Sequence, residues 1–99
     1  MLKQIIWSPL SEKDLENILA YLDDKWNTGI AIQFIEILNH LLKQISINPR
    51  QFPLIHKHKK VRKCVITKHN TLFYRDRIKS IDVLRIYDTR QNPKSLKFK

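Results

Sequence analysis

Between His56 and Arg90 the chain concentrates side chains that can handle anions. Lys57, Lys59, Lys60, Arg62, Lys63 and Lys68 follow one another with no acid among them, and Arg75, Arg77, Arg85 and Arg90 continue the series. Fixed cations at this density attract nucleic acid, a ribosome or an acidic protein segment. The formal net charge of the 99 residues is +10. Residues 1–50 hold 5 Lys and Arg against 6 Asp and Glu, whereas residues 51–99 hold 14 against 3. Lysines that merely solubilise a domain would not leave its first half slightly acidic, so the charge reads as a functional face. Lys57, Lys59, Lys60, Arg62, Lys63, Arg75, Arg77, Arg85 and Arg90 are its expected anion-binding members.

Other chemistries fare poorly. His56 and His58 stand two apart in HKHKK, but with no carboxylate nearby and lysines around them they make a poor cation site, so no metal is expected. His40 lies on the polar face of a helix, and His69 sits in a polar turn. Cys64 is the one cysteine, which excludes a disulfide framework and a multi-thiolate zinc centre. One glycine cannot build a Gly-rich phosphate loop. Asp82 and Asp88 form no carboxylate pair suited to glycoside chemistry. No cofactor is expected. A reducing, cytoplasmic setting fits the lone thiol. No apolar run nears the roughly 20 residues of a membrane span, and Met1–Trp7 carries no cleavage pattern, so no membrane partner is expected.

The elements that must carry these residues follow from periodicity. Leu2–Trp7 reads as a strand. Ser8-Pro9 opens a helix, Ser as N-cap and Pro in the first turn, where its missing N–H costs nothing. Leu15, Ile18, Leu19, Leu22 and Trp26 form one helical stripe, which should stop before Thr28-Gly29. Ala31, Phe34, Ile35, Leu38, Leu41, Leu42 and Ile45 form a second, over about Ile30–Ile47, widened by Ile30 and Ile37. Two amphipathic helices with a short connector predict an antiparallel hairpin. Asn48-Pro49 ends the second helix. NPRQFPLIHKHKK is then a loop, with Phe52, Leu54 and Ile55 tucked against the body. Val61–Ile66, Leu72–Ile78 and Ile81–Tyr87 read as a three-strand meander, one face on the helices and the other carrying Arg62, Arg75, Arg77 and Arg85 to solvent. Tyr74 and Tyr87 are expected as core aromatics with a wet hydroxyl, and Trp7 and Trp26 as core or rim packing. The prediction is one α+β domain over residues 1–99, in the order β-α-α-β-β-β, with a helical hairpin on a small antiparallel sheet.

With these elements in place the chain resembles the RelE/ParE superfamily of toxins. WSPLSEKDLENILAYLDDKW is similar to the family's opening strand and first helix, AIQFIEILNHLLKQISINP to its second helix and proline stop, and VRKCVITKHNTLFYRDRIKSIDVLRIYDTRQNP to its basic three-strand region with a closing arginine, Arg90. The resemblance implies a type II toxin that arrests growth, made beside an antitoxin that wraps and neutralises it. The wider apolar face of the second helix, at Ile30 and Ile37, is the expected antitoxin contact.

Two mechanisms come with the resemblance. RelE-like members enter the ribosomal A site and cut mRNA without a metal; ParE-like members are not nucleases and poison DNA gyrase. Metal-free cleavage must activate a 2′-OH, stabilise the phosphorane and protonate the leaving oxygen. Arg62, Lys63, Lys68, His69 and Arg90 are the candidates for that work. Against them, Thr71 stands where the family's strand-opening arginine is expected and Cys64 where a strand lysine is expected. Tyr87 precedes Arg90 rather than following it, and Phe98 in the tail has no hydroxyl. KHNTLFYR resembles the ParE-like strand more, so DNA gyrase is the favoured target and the ribosome with its mRNA the alternative. A non-catalytic RNA-binding module ranks third, because the sheet lacks the aromatic pattern that stacks bases.

Overall fold

The computed structural model describes residues 2–90. The expectations for the tail beyond them, Phe98 included, lie outside the described residues. Strand β1 (Gln4–Trp7) leads through Ser8 into α1 (Pro9–Lys25), and two residues later α2 (Thr28–Ile47) begins. A 3-10 turn (Pro49–Gln51) follows, then strands β2 (Leu54–His56), β3 (Val61–Thr67), β4 (Asn70–Asp76) and β5 (Ser80–Asp88). They form one five-stranded sheet in the order β1-β5-β4-β3-β2. Every pair is antiparallel except β1–β5, which is parallel. The fold is the expected α+β arrangement of two helices on a sheet, with one strand and one parallel pair more than the sequence suggests.

Capping explains the helix ends. Ser8 Oγ accepts from Ser11 N at 3.0 Å with Pro9 in the first turn, and Asn27 Oδ1 accepts from Ile30 N at 3.0 Å. The Asn27 cap lets α2 start two residues earlier than predicted, so Gly29 belongs to its first turn rather than to a connector. Ile18, Phe34, Leu38 and Ile45 from the helices meet Cys64, Leu72, Tyr74, Ile81, Val83 and Ile86 from the sheet in the main core. Tyr74 is fully buried, but its hydroxyl is not wet: it donates to Pro49 O, and the ring meets Phe52 edge-on. Phe52 alone of the three loop hydrophobics packs on the core; Leu54 and Ile55 are exposed on β2.

The far face of the sheet departs from expectation. Val61, Phe73 and Leu84 are buried there in a second apolar cluster, with Tyr87 packed against it, so it is no bare arginine surface. A bulge produces the pattern. Phe73 pairs with Arg85 and Tyr74 with Val83, which leaves Leu84 as the extra residue on β5. Bulges re-aim side chains: Leu84 enters the second cluster, while Arg85 reaches Asp14 on α1.

Candidate functional site

Hydrogen bonding fixes where the expected cations stand. Arg62 Nη1 donates to Phe52 O at 2.8 Å, and Arg75 Nε donates to Lys59 O at 2.8 Å. Arg77 Nε pairs with the Asp82 carboxylate. Arg85 pairs with Asp14 through Nε at 2.8 Å and Nη2 at 3.0 Å, and both side chains are nearly buried. The hydrogen bond to Asp14 raises the Arg85 pKa against the opposing effect of burial. Arg85 therefore belongs to the α1–β5 joint and not to a solvent-facing cationic face.

Most of the remaining cations gather at one end of the sheet. The β4–β5 turn, the β2–β3 turn, the start of β1 and the 3-10 turn meet there, because Val61 pairs with Arg75 and Gln4 with Ser80. They enclose an open cleft of about 780 Å³. Of the residues expected to bind anions, Lys57, Lys60, Arg62, Arg75 and Arg77 line it. Lys59, Lys63, Arg85 and Arg90 do not belong to its lining. Sequence reasoning missed three further cations, Lys3, Arg50 and Lys79, which are distant in the chain and converge only through the sheet order. The cleft's one acid, Asp76, accepts from Lys3 Nζ at 2.6 Å. Lys60 adopts a left-handed φ of 56°, closing the β2–β3 turn with a bond from its N–H to Lys57 O.

The opposite end carries a smaller groove, of about 390 Å³, between the helices and the β3–β4 turn. Ile30 and Ile37 line it beside Tyr21, Trp26, His69 and Arg90. Ile37 is 43% exposed and Trp26 67%, so Trp26 is not a core residue and stands at the groove's edge. Ile30 is half-buried against the core. The Arg90 guanidinium lies 4.1 Å over the Tyr21 ring and is clamped by Asp88, whose Oδ1 accepts from Arg90 Nε at 2.7 Å and from its backbone N at 2.9 Å. Burial alone would raise the Asp88 carboxyl, but these bonds and the Arg90 charge hold it below the usual carboxylate range. Asn70 is buried in the groove wall, and its Nδ2 has no partner among the described residues.

The five nuclease candidates do not share one place. Arg62 lines the basic cleft; His69 and Arg90 line the groove. A strand advances about 3.3 Å per residue, so the five steps from Arg62 to Thr67, next to that groove, span roughly 16 Å. Groups that exchange protons with one reacting centre must lie within hydrogen-bond reach of it. Lys63 pairs with Phe73 on the face away from the helices, and Lys68 sits in the β3–β4 turn. Cys64 faces the helices, and burial pushes its thiol up to about 11, so it supplies no thiolate near neutrality. His56 Nδ1 accepts from Lys59 N at 3.2 Å and serves the turn. Among the described residues no three His, Cys, Asp or Glu side chains gather to hold a metal. No described helix is long and apolar enough to cross a membrane.

The model of the family described as "ParE toxin of type II toxin-antitoxin system, parDE" matches residues 5–93. Several solved structures share the fold. A chain of the chromosomal ParDE system from P. aeruginosa superposes with a TM-score of 0.73 at 17% identity, covering 88% of this chain and 96% of that one. The YoeB/ParE toxin from Agrobacterium tumefaciens gives 0.62 at 16% identity, over 86% and 96% of the two chains. A chain of the E. coli DinJ-YafQ toxin–antitoxin complex gives 0.60 at 15%, over 91% and 96%. No curated protein matches the sequence.

Proposed function

The chain belongs to the ParE toxin family of type II toxin–antitoxin systems, and from that premise we propose that it arrests growth by inhibiting DNA gyrase and is neutralised by a small antitoxin protein. The observation that carries the choice of target is the separation of the acid–base candidates. Arg62 stands at one end of the sheet and His69 and Arg90 at the other. Arg90 is held by Asp88, and its pKa is raised by that bond, so it offers charge but no proton. A ribosome-dependent nuclease that lacks one acid–base or charge-stabilising group typically loses about 10²–10⁴-fold in rate. Gyrase inhibition makes no such demand on the chain.

The antitoxin reading draws on the groove. Ile37, Trp26 and Ile30 offer an apolar strip that suits the apolar face of a partner helix.

The test is expression of the chain alone and with the small gene beside it, followed by gyrase supercoiling and primer-extension assays on the purified toxin. Growth arrest relieved by the second gene, lost supercoiling and uncut mRNA are expected. Discrete A-site cuts that vanish in Arg90→Ala, with supercoiling intact, would make the protein a nuclease.

A further inference from the structure

We infer that the basic cleft is a binding site for the phosphodiester backbone of nucleic acid, gripped around the β4–β5 turn. The site lies at the end of the sheet away from the proposed antitoxin groove, and the inference is independent of which target the toxin attacks.

Three features select this ligand. The first is the shortage of side-chain acceptors. Asp76 is occupied by Lys3, and Ser80 Oγ is turned to Asp82 at 3.3 Å, so the lining side chains are almost all donors. A peptide brings an N–H at nearly every residue, and each one that is buried needs an acceptor. A phosphodiester backbone brings acceptors alone. The second is the fixing of the arginines. Arg62, Arg75 and Arg77 are each anchored through one guanidinium nitrogen. A guanidinium carries five N–H donors, so each keeps donors for a phosphate while its position is already set.

The third is Ile78. It forms the tip of the β4–β5 turn between Arg77 and Lys79 and is 91% exposed, the most exposed large hydrophobic side chain among the described residues. An apolar side chain flanked by two cations suits a nucleic-acid groove, where the cations meet phosphates and the apolar tip meets sugars or base edges. Lys57 and Lys60 face this tip from the β2–β3 turn and complete the cationic wall.

The experiment is fluorescence anisotropy on the full chain with a labelled 20-base-pair DNA duplex, the matching single-stranded RNA and polyglutamate, each titrated across a range of salt. Lys57→Gln/Lys79→Gln removes two exposed turn cations. Lys13→Gln/Lys25→Gln removes the same charge from α1 as a control, and Lys57→Arg/Lys79→Arg keeps the charge. Thermal melts confirm that all are folded. The cleft variant should bind duplex at least tenfold more weakly near 0.1 M salt. Its log–log salt slope should be shallower by about 1.8, from two lost contacts at about 0.9 each. The arginine variant and the control should bind as the parent does. Ile78→Ser should weaken binding several-fold with the slope unchanged. RNA binding through the same lysines, with about 0.7 per contact, supports the phosphodiester site and assigns its source to RNA. An equal loss in the control, no loss in the cleft variant, or polyglutamate binding as tightly as duplex at equal charge would each overturn the proposal, the last in favour of an acidic protein partner.

Discussion

Asp14 is 6% exposed and accepts from Arg85 Nε, Arg85 Nη2 and the backbone N–H of Ile86. In sequence it is one of three acids near the start of α1, with Glu12 and Glu16, a place where the helix dipole favours a carboxylate. The structure uses it to close the edge of β5 beyond Val83, where β1 ends. Ser8 does the same one step earlier, donating from Oγ to Leu84 O at 2.8 Å. Neither role is legible in sequence, because each joins residues about seventy positions apart through the geometry of a bulge. Removing one partner of a buried ion pair costs about 3–5 kcal/mol. Asp14→Ala is therefore expected to lower unfolding free energy by about that much in urea titration, with Asp14→Asn recovering part of the loss through its remaining acceptor. A change below about 1 kcal/mol would show that the joint is held by other contacts. Asp88 carries a second residue-scale expectation, in pH. Its folded pKa is depressed, so the Arg90 clamp stabilises the fold above the unfolded carboxyl value of about 3.9 and loses that contribution as pH falls through the lower folded value. Asp88→Asn should flatten the acid limb of a stability-against-pH curve below about pH 4 and leave its alkaline limb alone; an unchanged acid limb would count against the clamp.

At the scale of elements, α2 carries neighbours with opposite duties. Leu38 is 2% exposed and sits in the main core, whereas Ile37 is 43% exposed in the groove. Hydropathy cannot separate them, since the run from Phe34 to Leu38 is apolar but for Glu36. Only the helical turn of about 100° per residue, set against the position of the sheet, does so. Leu38→Ala should destabilise the chain by about 2–5 kcal/mol through the cavity it leaves. Ile37→Asp should leave the isolated chain's melting point nearly unchanged and weaken the antitoxin complex. A melt for Ile37→Asp as low as that of Leu38→Ala would return Ile37 to the core. The helices, the Ser8 cap and β3 to β5 were legible because each has a periodic stripe or a capping residue of its own, whereas the Asn27 cap of α2 was not read. Strand β2 was not: three residues following Pro53, with two hydrophobics exposed, give no strand signal until β3 is there to pair with Leu54 and His56. The second cluster was hidden for a related reason, because alternation read straight on from Val83 would turn Ile86 away from the helices, and cannot anticipate the bulge at Leu84 that keeps Val83 and Ile86 in one core while Leu84 joins the other.

Over the whole molecule, the charge asymmetry of the sequence becomes a polarity of position. The basic half supplies β3 to β5, and Lys57, Lys60, Arg62, Arg75, Arg77 and Lys79 from it gather at the end with the β4–β5 turn, joined by Lys3 and Arg50 from the other half. The end with the β3–β4 turn carries the groove with its apolar strip and holds Arg90 in a clamp, with Lys68 exposed in the turn itself. This arrangement allows a nucleic acid and an antitoxin to occupy the chain together. Substitutions at sites more than about 7–10 Å apart with no shared partners add to within about 0.5 kcal/mol. Fields from exposed charges are also screened over about 8 Å at physiological salt. Ile37→Asp should therefore weaken the antitoxin by the same factor whether or not Lys57→Gln/Lys79→Gln is present, and the lysine pair should weaken duplex by the same factor whether or not Ile37 is changed. Calorimetry of the four proteins against antitoxin, beside anisotropy against duplex, completes the cycle. If the lysine pair alone weakened the antitoxin tenfold, screening would exclude a field effect across the roughly 16 Å between the two ends. The antitoxin would then have to reach physically from the groove into the cleft, and its release, rather than free access, would control when the cleft meets nucleic acid.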